Sequence, residues 1–269
     1  MSEASAAFVG SVPENYERYL GPMFFEPYGD DLVARLPMKE GMSVLETACG
    51  TGLVTQRLRA ALPENAQLVA TDLNEAMLAF AQEKVGRDAK LEWKVADLME
   101  LPFPAEMFDV VVCQFGVMFV PEKERTLAEA YRVLRPGGRF LFNVWDSLAK
   151  NDFSRIAHET IVASTAPEPI RFFETPYGSF DQSAMRGWLE AAGFKEISVT
   201  VVPIAGESPS AADAARGLVQ GTPVVVALKN RGGTQIEPLT EKVTAALERE
   251  LGKAHCRGRM QALVWEATR

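Results

Sequence analysis

The 269-residue chain is poor in the side chains that most often do explicit chemistry, with three cysteines and two histidines. Cys49, Cys113 and Cys256 have neither a pairing pattern nor metal-ligand spacing. No disulfide framework and no metal site are expected, and a reducing, cytoplasmic compartment is. Long apolar runs are also missing. The longest, 107–120, is broken by Asp109 and Gln114 and is too short for a bilayer span of about 20 residues. The opening MSEASAAFVG lacks the positive flank of a secretory signal. Basic clusters are absent as well: 28 Lys and Arg against 36 Asp and Glu give 28 − 36 = −8, which argues against a nucleic-acid partner. No repeat or low-complexity tract occurs. What remains is a globular composition, 47% apolar, whose length suits one large domain or one domain with substantial insertions.

From residue 43 to 146, short apolar runs alternate with helical patterns, as parallel βαβ units require. SVLETA (43–48), QLVATD (67–72), LEWKVAD (91–97), FDVVVCQF (108–115) and GRFLFNVW (138–145) read as strands. The fourth is almost wholly apolar, as a central strand covered on both faces would be. Leu127, Ala130, Tyr131 and Leu134 repeat at helical spacing and end in a turn at Arg135-Pro136-Gly137-Gly138. A second helix runs from Asp181 to Gly193 on Met185, Trp188, Leu189 and Ala192. FKEISVTVV (194–202) and RMQALVWEA (259–267) complete seven strands. The expected fold is therefore α/β, a doubly wound, seven-stranded, mostly parallel sheet.

The first strand runs into Glu46-Thr47-Ala48-Cys49-Gly50-Thr51-Gly52, after which Leu53, Val54 and Leu58 begin a helix. Glycines in such a loop let the chain turn sharply and let a ligand approach the main chain without a Cβ in the way. Both dinucleotides and S-adenosylmethionine (SAM) use loops of this kind. A dinucleotide calls for Gly-x-Gly-x-x-Gly, but Thr55 holds the third glycine position. It also avoids a carboxylate beside the phosphate-binding helix terminus, whereas Glu46 suits a cationic ligand.

ETACGTG resembles the first motif of the class I SAM-dependent methyltransferases, with Ala48 at the first glycine. VATDLNEAML, VADLMELPF, FDVVVCQF and EAYRVLRPGGRFLF resemble the motifs that follow, in order. The resemblance covers about 43–146, extends plausibly to the last strand, and is nearest to the small-molecule branch that includes quinone-biosynthesis methyltransferases. It implies a Rossmann-like methyltransferase fold and SAM as cofactor. Ala48, Gly50 and Gly52 would form the loop, and Glu46 would meet the methionyl amine or its waters. Asp72 would take both ribose hydroxyls and Leu73 would pack on adenine. Asp97 and Leu98 would recognise the adenine amino edge, and Gln114 would lie over the activated methyl. An NAD-dependent oxidoreductase and a non-catalytic SAM-binding module stand as alternatives.

Methyl transfer from a sulfonium needs alignment and dryness more than acid or base, so no side chain is assigned as catalytic. His158 and His255 both lie in inserted regions and read as ordinary packing or surface residues. Aromatics are placed more tellingly: 24 in 269 residues predict about 2.5 in the first 28, which hold six, namely Phe8, Tyr16, Tyr19, Phe24, Phe25 and Tyr28. A second group, Phe172, Phe173, Tyr177 and Phe180, lies in a proline-rich stretch. Tyr16, Tyr19, Phe115, Phe172 and Tyr177 are the expected acceptor contacts; Phe24, Phe25 and Phe180 suit a core equally well. The expected layout has six parts. A helical segment over the cofactor site (1–40) precedes a SAM-binding core (41–146) and a first lid insertion (147–180). A core helix with the sixth strand (181–203), a helical lid insertion (204–256) and the seventh strand (257–269) follow. The expected activity is in-line methyl transfer to a small, largely apolar acceptor molecule, with no membrane span.

Overall fold

The computed structural model describes residues 12–269; Phe8 lies outside them. The described chain begins with α1 (Val12–Asn15), a π-helical stretch (Tyr16–Phe25) that contains Pro22, and α2 (Glu26–Ala34). Strands and helices then alternate through β1 (Ser43–Thr47), α3 (Leu53–Ala61), β2 (Gln67–Asp72), α4 (Glu75–Val85), β3 (Leu91–Val95), β4 (Phe108–Gln114), α5 (Lys123–Val133) and β5 (Leu134–Trp145). Beyond β5 come α6 (Asp152–Ser164), α7 (Gln182–Ala192) and β6 (Lys195–Ser210). Three further helices, α8 (Ala211–Gln220), α9 (Val224–Asn230) and α10 (Ile236–Leu251), lead to β7 (Ala254–Thr268).

The seven strands form one sheet in the order β3-β2-β1-β4-β5-β7-β6. The first five of these are parallel, and β7 runs antiparallel to both β5 and β6. Central β4 is sealed on both faces, with Val110, Val111, Val112 and Cys113 all buried. Winding goes outward from β1 through β2 to β3, then returns to β4 on the other side. That reversal opens a crevice at the carboxyl ends of β1 and β4, the place where open α/β sheets take ligands.

Capping chemistry fixes several of the helix boundaries. Asn74 caps α4 by accepting from the N–H groups of Ala76 and Met77 at 2.9 and 3.1 Å. Asp181 caps α7 in the same way, and Gly193, at φ 102°, closes its far end in the left-handed conformation.

Two boundaries differ from expectation. Leu134 begins β5 directly after α5, so the Pro136-Gly137-Gly138 turn is absorbed as an irregularity in the β4–β5 ladder. More consequentially, β6 and β7 continue as a paired ribbon to Ser210 opposite Ala254, well past the expected ends at 202 and 259. Gly206 faces Gly258 in this ribbon. A Cβ on Gly206 would lie 2.7 Å from the sulfur of Met260, and one on Gly258 would lie 3.0 Å from the ring of Phe153. Both glycines are thus bare so that a large side chain can cross the ladder, and Pro203 is tolerated because β6 is the edge strand. Only the middle of the 204–256 insertion is helical.

Candidate functional site

The crevice opens into a cavity whose empty space, its solvent-open mouth included, is about 1090 Å³. Its first wall is the loop after β1, where Ala48, Gly50 and Gly52 take φ values of 52°, 55° and 75°. Asp72, at the end of β2, ties this loop down. Its carboxylate accepts from the Gly50 N–H and from the Asn74 N–H, each at 2.8 Å. Burial pushes the Asp72 carboxyl above its ordinary range, against the pull of those backbone donors. A Cβ on Gly50 would meet no atom within 4 Å, so this glycine faces open space and lets a ligand reach the main chain. Leu73, Asn74 and Met77 continue the wall along the start of α4. Asp97 and Leu98 follow β3, with Asp97 accepting from the Met99 N–H at 2.9 Å.

Ala48 departs from the family's glycine, and its Cβ needs room. Gly116, just after β4, supplies it. A Cβ built there would lie 2.5 Å from the Ala48 Cβ and 2.6 Å from the Cys113 sulfur. One glycine has in effect moved across the crevice.

The opposite wall is aromatic. Phe115, at φ 53°, stacks on Trp145 at 4.0 Å and 14°, and Trp145 stacks on Tyr177 at 5.7 Å and 21°. Tyr16 stacks on Phe25 at 4.6 Å and 16°, on the π-helical stretch that roofs the cavity. Phe172 pairs with Phe173 at 5.3 Å. Burial raises the phenols of Tyr16 and Tyr177, so both keep their protons at neutral pH. Among the described lining residues Asp72 and Asp97 alone are charged.

Of the residues expected from sequence, Ala48, Gly50, Asp72, Leu73, Asp97, Leu98, Gln114, Phe115, Tyr16, Phe172 and Tyr177 meet at this one cavity. Three do not reach it. Glu46 is buried beneath the loop, where its carboxylate accepts from the Thr55 hydroxyl at 2.6 Å. Burial is the main cause that lifts its pKa to about 8, so at neutral pH it is largely uncharged. Thr55, the departure from the dinucleotide pattern, is the partner of that carboxyl. Gly52 begins α3, and an added Cβ there would press Ala81 and Val85 of α4 at 3.0 Å, which makes it a packing glycine. Tyr19 turns away toward α8, packing by Gly217 with Arg18 over its ring at 5.2 Å. Phe180 is 47% exposed and, with His158 and His255, lies off the cavity wall.

Sequence reasoning missed Trp145, Ser154, Leu218 and Thr222. Trp145 had a usable signal, since it ends a strand as Gln114 does. Ser154 and Leu218 sit on helices of the insertions and Thr222 in the turn between α8 and α9, where no motif marks them.

A protein-family profile described as a methyltransferase domain matches residues 45–142. The ubiquinone/menaquinone biosynthesis C-methyltransferase UbiE of Escherichia fergusonii is 31% identical over 175 residues, covering 60% of this chain and 69% of that protein. Its namesake from Proteus mirabilis is 29% identical over 178 residues, covering 61% and 70%. In fold, the chain resembles Haemonchus contortus phosphoethanolamine N-methyltransferase 2, solved with phosphomonomethylethanolamine and S-adenosylhomocysteine. The TM-score is 0.62 at 17% identity, over 96% of this chain and 57% of that one.

The cavity's chemistry fits SAM. Asp72 is a desolvated carboxylate that a nearby cation would relieve, Gly50 faces open space, and no Lys, Arg or His lines the described wall to repel a sulfonium. A dinucleotide's phosphates would instead face two carboxylates. The chain belongs to the class I SAM-dependent methyltransferases.

Proposed function

We propose that this enzyme methylates a small, largely apolar acceptor in the cytoplasm. The observation that carries this reading is the acceptor wall, which is rich in aromatic rings and carries no charged side chain among its described residues. When bound, SAM supplies a methyl group on a positively charged sulfur. Asp72 would hold the ribose hydroxyls, Leu73 would cover the adenine, and Asp97 with Leu98 would meet its amino edge. Glu46 would act from below, steadying the loop through Thr55, with Gly52 fixing the start of α3. Gln114, whose amide donates to the Phe25 carbonyl at 3.1 Å, would join the roof to the end of β4. Tyr16, Phe115, Phe172 and Tyr177 would align the acceptor, while the π-helical stretch and the helices 211–251 keep water out. Such positioning supplies several kcal/mol without a base. With both phenols protonated, neither takes up the proton displaced from the acceptor, which passes to bulk solvent as the site opens to release the methylated product.

The bacterial relatives are named as C-methyltransferases of ubiquinone and menaquinone biosynthesis, which makes carbon one candidate for the methylated atom. Titration calorimetry with S-adenosylhomocysteine tests the cofactor assignment. Asp72→Ala removes the carboxylate and leaves two backbone N–H groups without their partner, so affinity should fall at least about a hundredfold, near 3 kcal/mol. Undiminished binding would remove Asp72 from the site.

A further inference from the structure

The acceptor wall carries one hydroxyl couple. Ser154 on α6 and Tyr177, just after the short helical turn Phe172–Glu174, place their side-chain oxygens 2.6 Å apart. Both residues line the cavity and both are nearly inaccessible, at 1% and 5% exposure. We propose that this pair is the recognition point for a neutral, hydroxyl-bearing aromatic acceptor, whose oxygen it holds while the ring continues the aromatic stack.

The donor arithmetic supports a ligand. Two hydroxyls bring two O–H donors, and their mutual bond uses one. The remaining donor and the free lone pairs suit an acceptor oxygen, which both donates and accepts. Leaving such groups without a partner in a buried apolar surround costs stability, so a ligand hydroxyl that completes them binds more tightly than a ring that cannot.

Charge selects the rest of the class. No cation lines the described wall to hold a phosphate or carboxylate, and the two carboxylates lie on the glycine-loop side, each already bonded to backbone N–H groups. An anionic or cationic acceptor would therefore pay for desolvation with no countercharge on its side of the cavity. Shape selects a flat ring. Phe115, Trp145 and Tyr177 stack in series at 14° and 21° from parallel, a column of rings that a planar acceptor beside the hydroxyl pair would continue at its Tyr177 end.

This inference rests on the methyl-acceptor reading of the aromatic wall. Equilibrium dialysis of the full chain, saturated with S-adenosylhomocysteine, against 1-naphthol, 1-methoxynaphthalene and naphthalene separates the two. Wild type should bind 1-naphthol about tenfold more tightly than either analogue. Tyr177→Phe and Ser154→Ala should each cut that preference about fivefold, leaving the affinities for naphthalene and S-adenosylhomocysteine within twofold. Equal binding of the three probes by wild type, no binding of 1-naphthol, or a preference untouched by both variants overturns the proposal. Because the wild-type ratio needs no variant, a variant that fails to fold does not rescue it. Failure of wild type to bind S-adenosylhomocysteine at all would instead overturn the cofactor assignment beneath.

Discussion

The two walls of the cavity are built in opposite ways. On the glycine-loop side, Ala48, Gly50, Asp72 and Asp97 stand at the ends of neighbouring parallel strands, so the sheet itself sets their spacing. On the acceptor side, Phe115 and Trp145 also stand at strand ends, but Tyr16, Ser154, Phe172 and Tyr177 come from three separate segments packed over the sheet. The first wall depends on backbone geometry and a few carboxylates; the second depends on packing. A shared cofactor calls for the former, and a changing acceptor is most easily met by altering the latter.

That contrast can be broken experimentally, and the largest effect is expected from Glu46. Burial holds its folded-state pKa at about 8 against an ordinary 4.5. Between those values the folded protein binds this proton and the unfolded chain does not, so the contribution is present at low pH and is lost as pH rises toward 8. The slope approaches about 1.4 kcal/mol per pH unit. Glu46→Gln removes it, so the variant should gain on wild type steadily from pH 5 to pH 8 in urea unfolding. A constant difference would show that this carboxyl is not held neutral.

A smaller effect is expected where the walls meet. Gly116→Ala drives a methyl into Ala48 and Cys113, and should cost about 2 kcal/mol. Ala48→Gly removes one obstacle and relieves a left-handed alanine, so the double variant should recover about half of the loss. Strict additivity in thermal or urea melts would mean that the two positions do not share the space.

The smallest effect belongs to the roof. A methyl on Gly217 of α8 would lie 2.7 Å from Leu20 and 2.9 Å from the Tyr19 Cβ. Gly217→Ala should lift the π-helical stretch, destabilising by about 1 kcal/mol. Steady-state kinetics should then register a raised KM for the acceptor, with S-adenosylhomocysteine affinity nearly unchanged. Loss of both together would make roof and loop one unit.

The same contrast explains what could be read in advance. Strand-end carboxylates such as Asp72 and Asp97 were legible because parallel strands announce themselves as apolar runs and their last residues must face the crevice. Ser154 and Thr222 were not, since nothing local distinguishes a cavity hydroxyl from one on any other helix or turn. Glu46 was misplaced by one layer: its position in the motif is clear, but its bond to Thr55 depends on how α3 folds back over β1. Tyr19 and Tyr16 lie three residues apart on one stretch, and only the docking of α8 decides which of them faces the cavity. The β6–β7 ribbon was hidden because Pro203 and Gly206 look like turn residues until their partners across the ladder are known.

The place of β7 between β5 and β6 has a consequence for how the protein is made. Until its residues leave the ribosome, β6 has no partner in the sheet, and β5 shows the bare edge that β7 will fill. A nascent chain must therefore carry both unzipped edges from the completion of β6 at Ser210 until β7 emerges. Closing the sheet waits on β7, so a delay in translating it would leave aggregation-prone strands exposed.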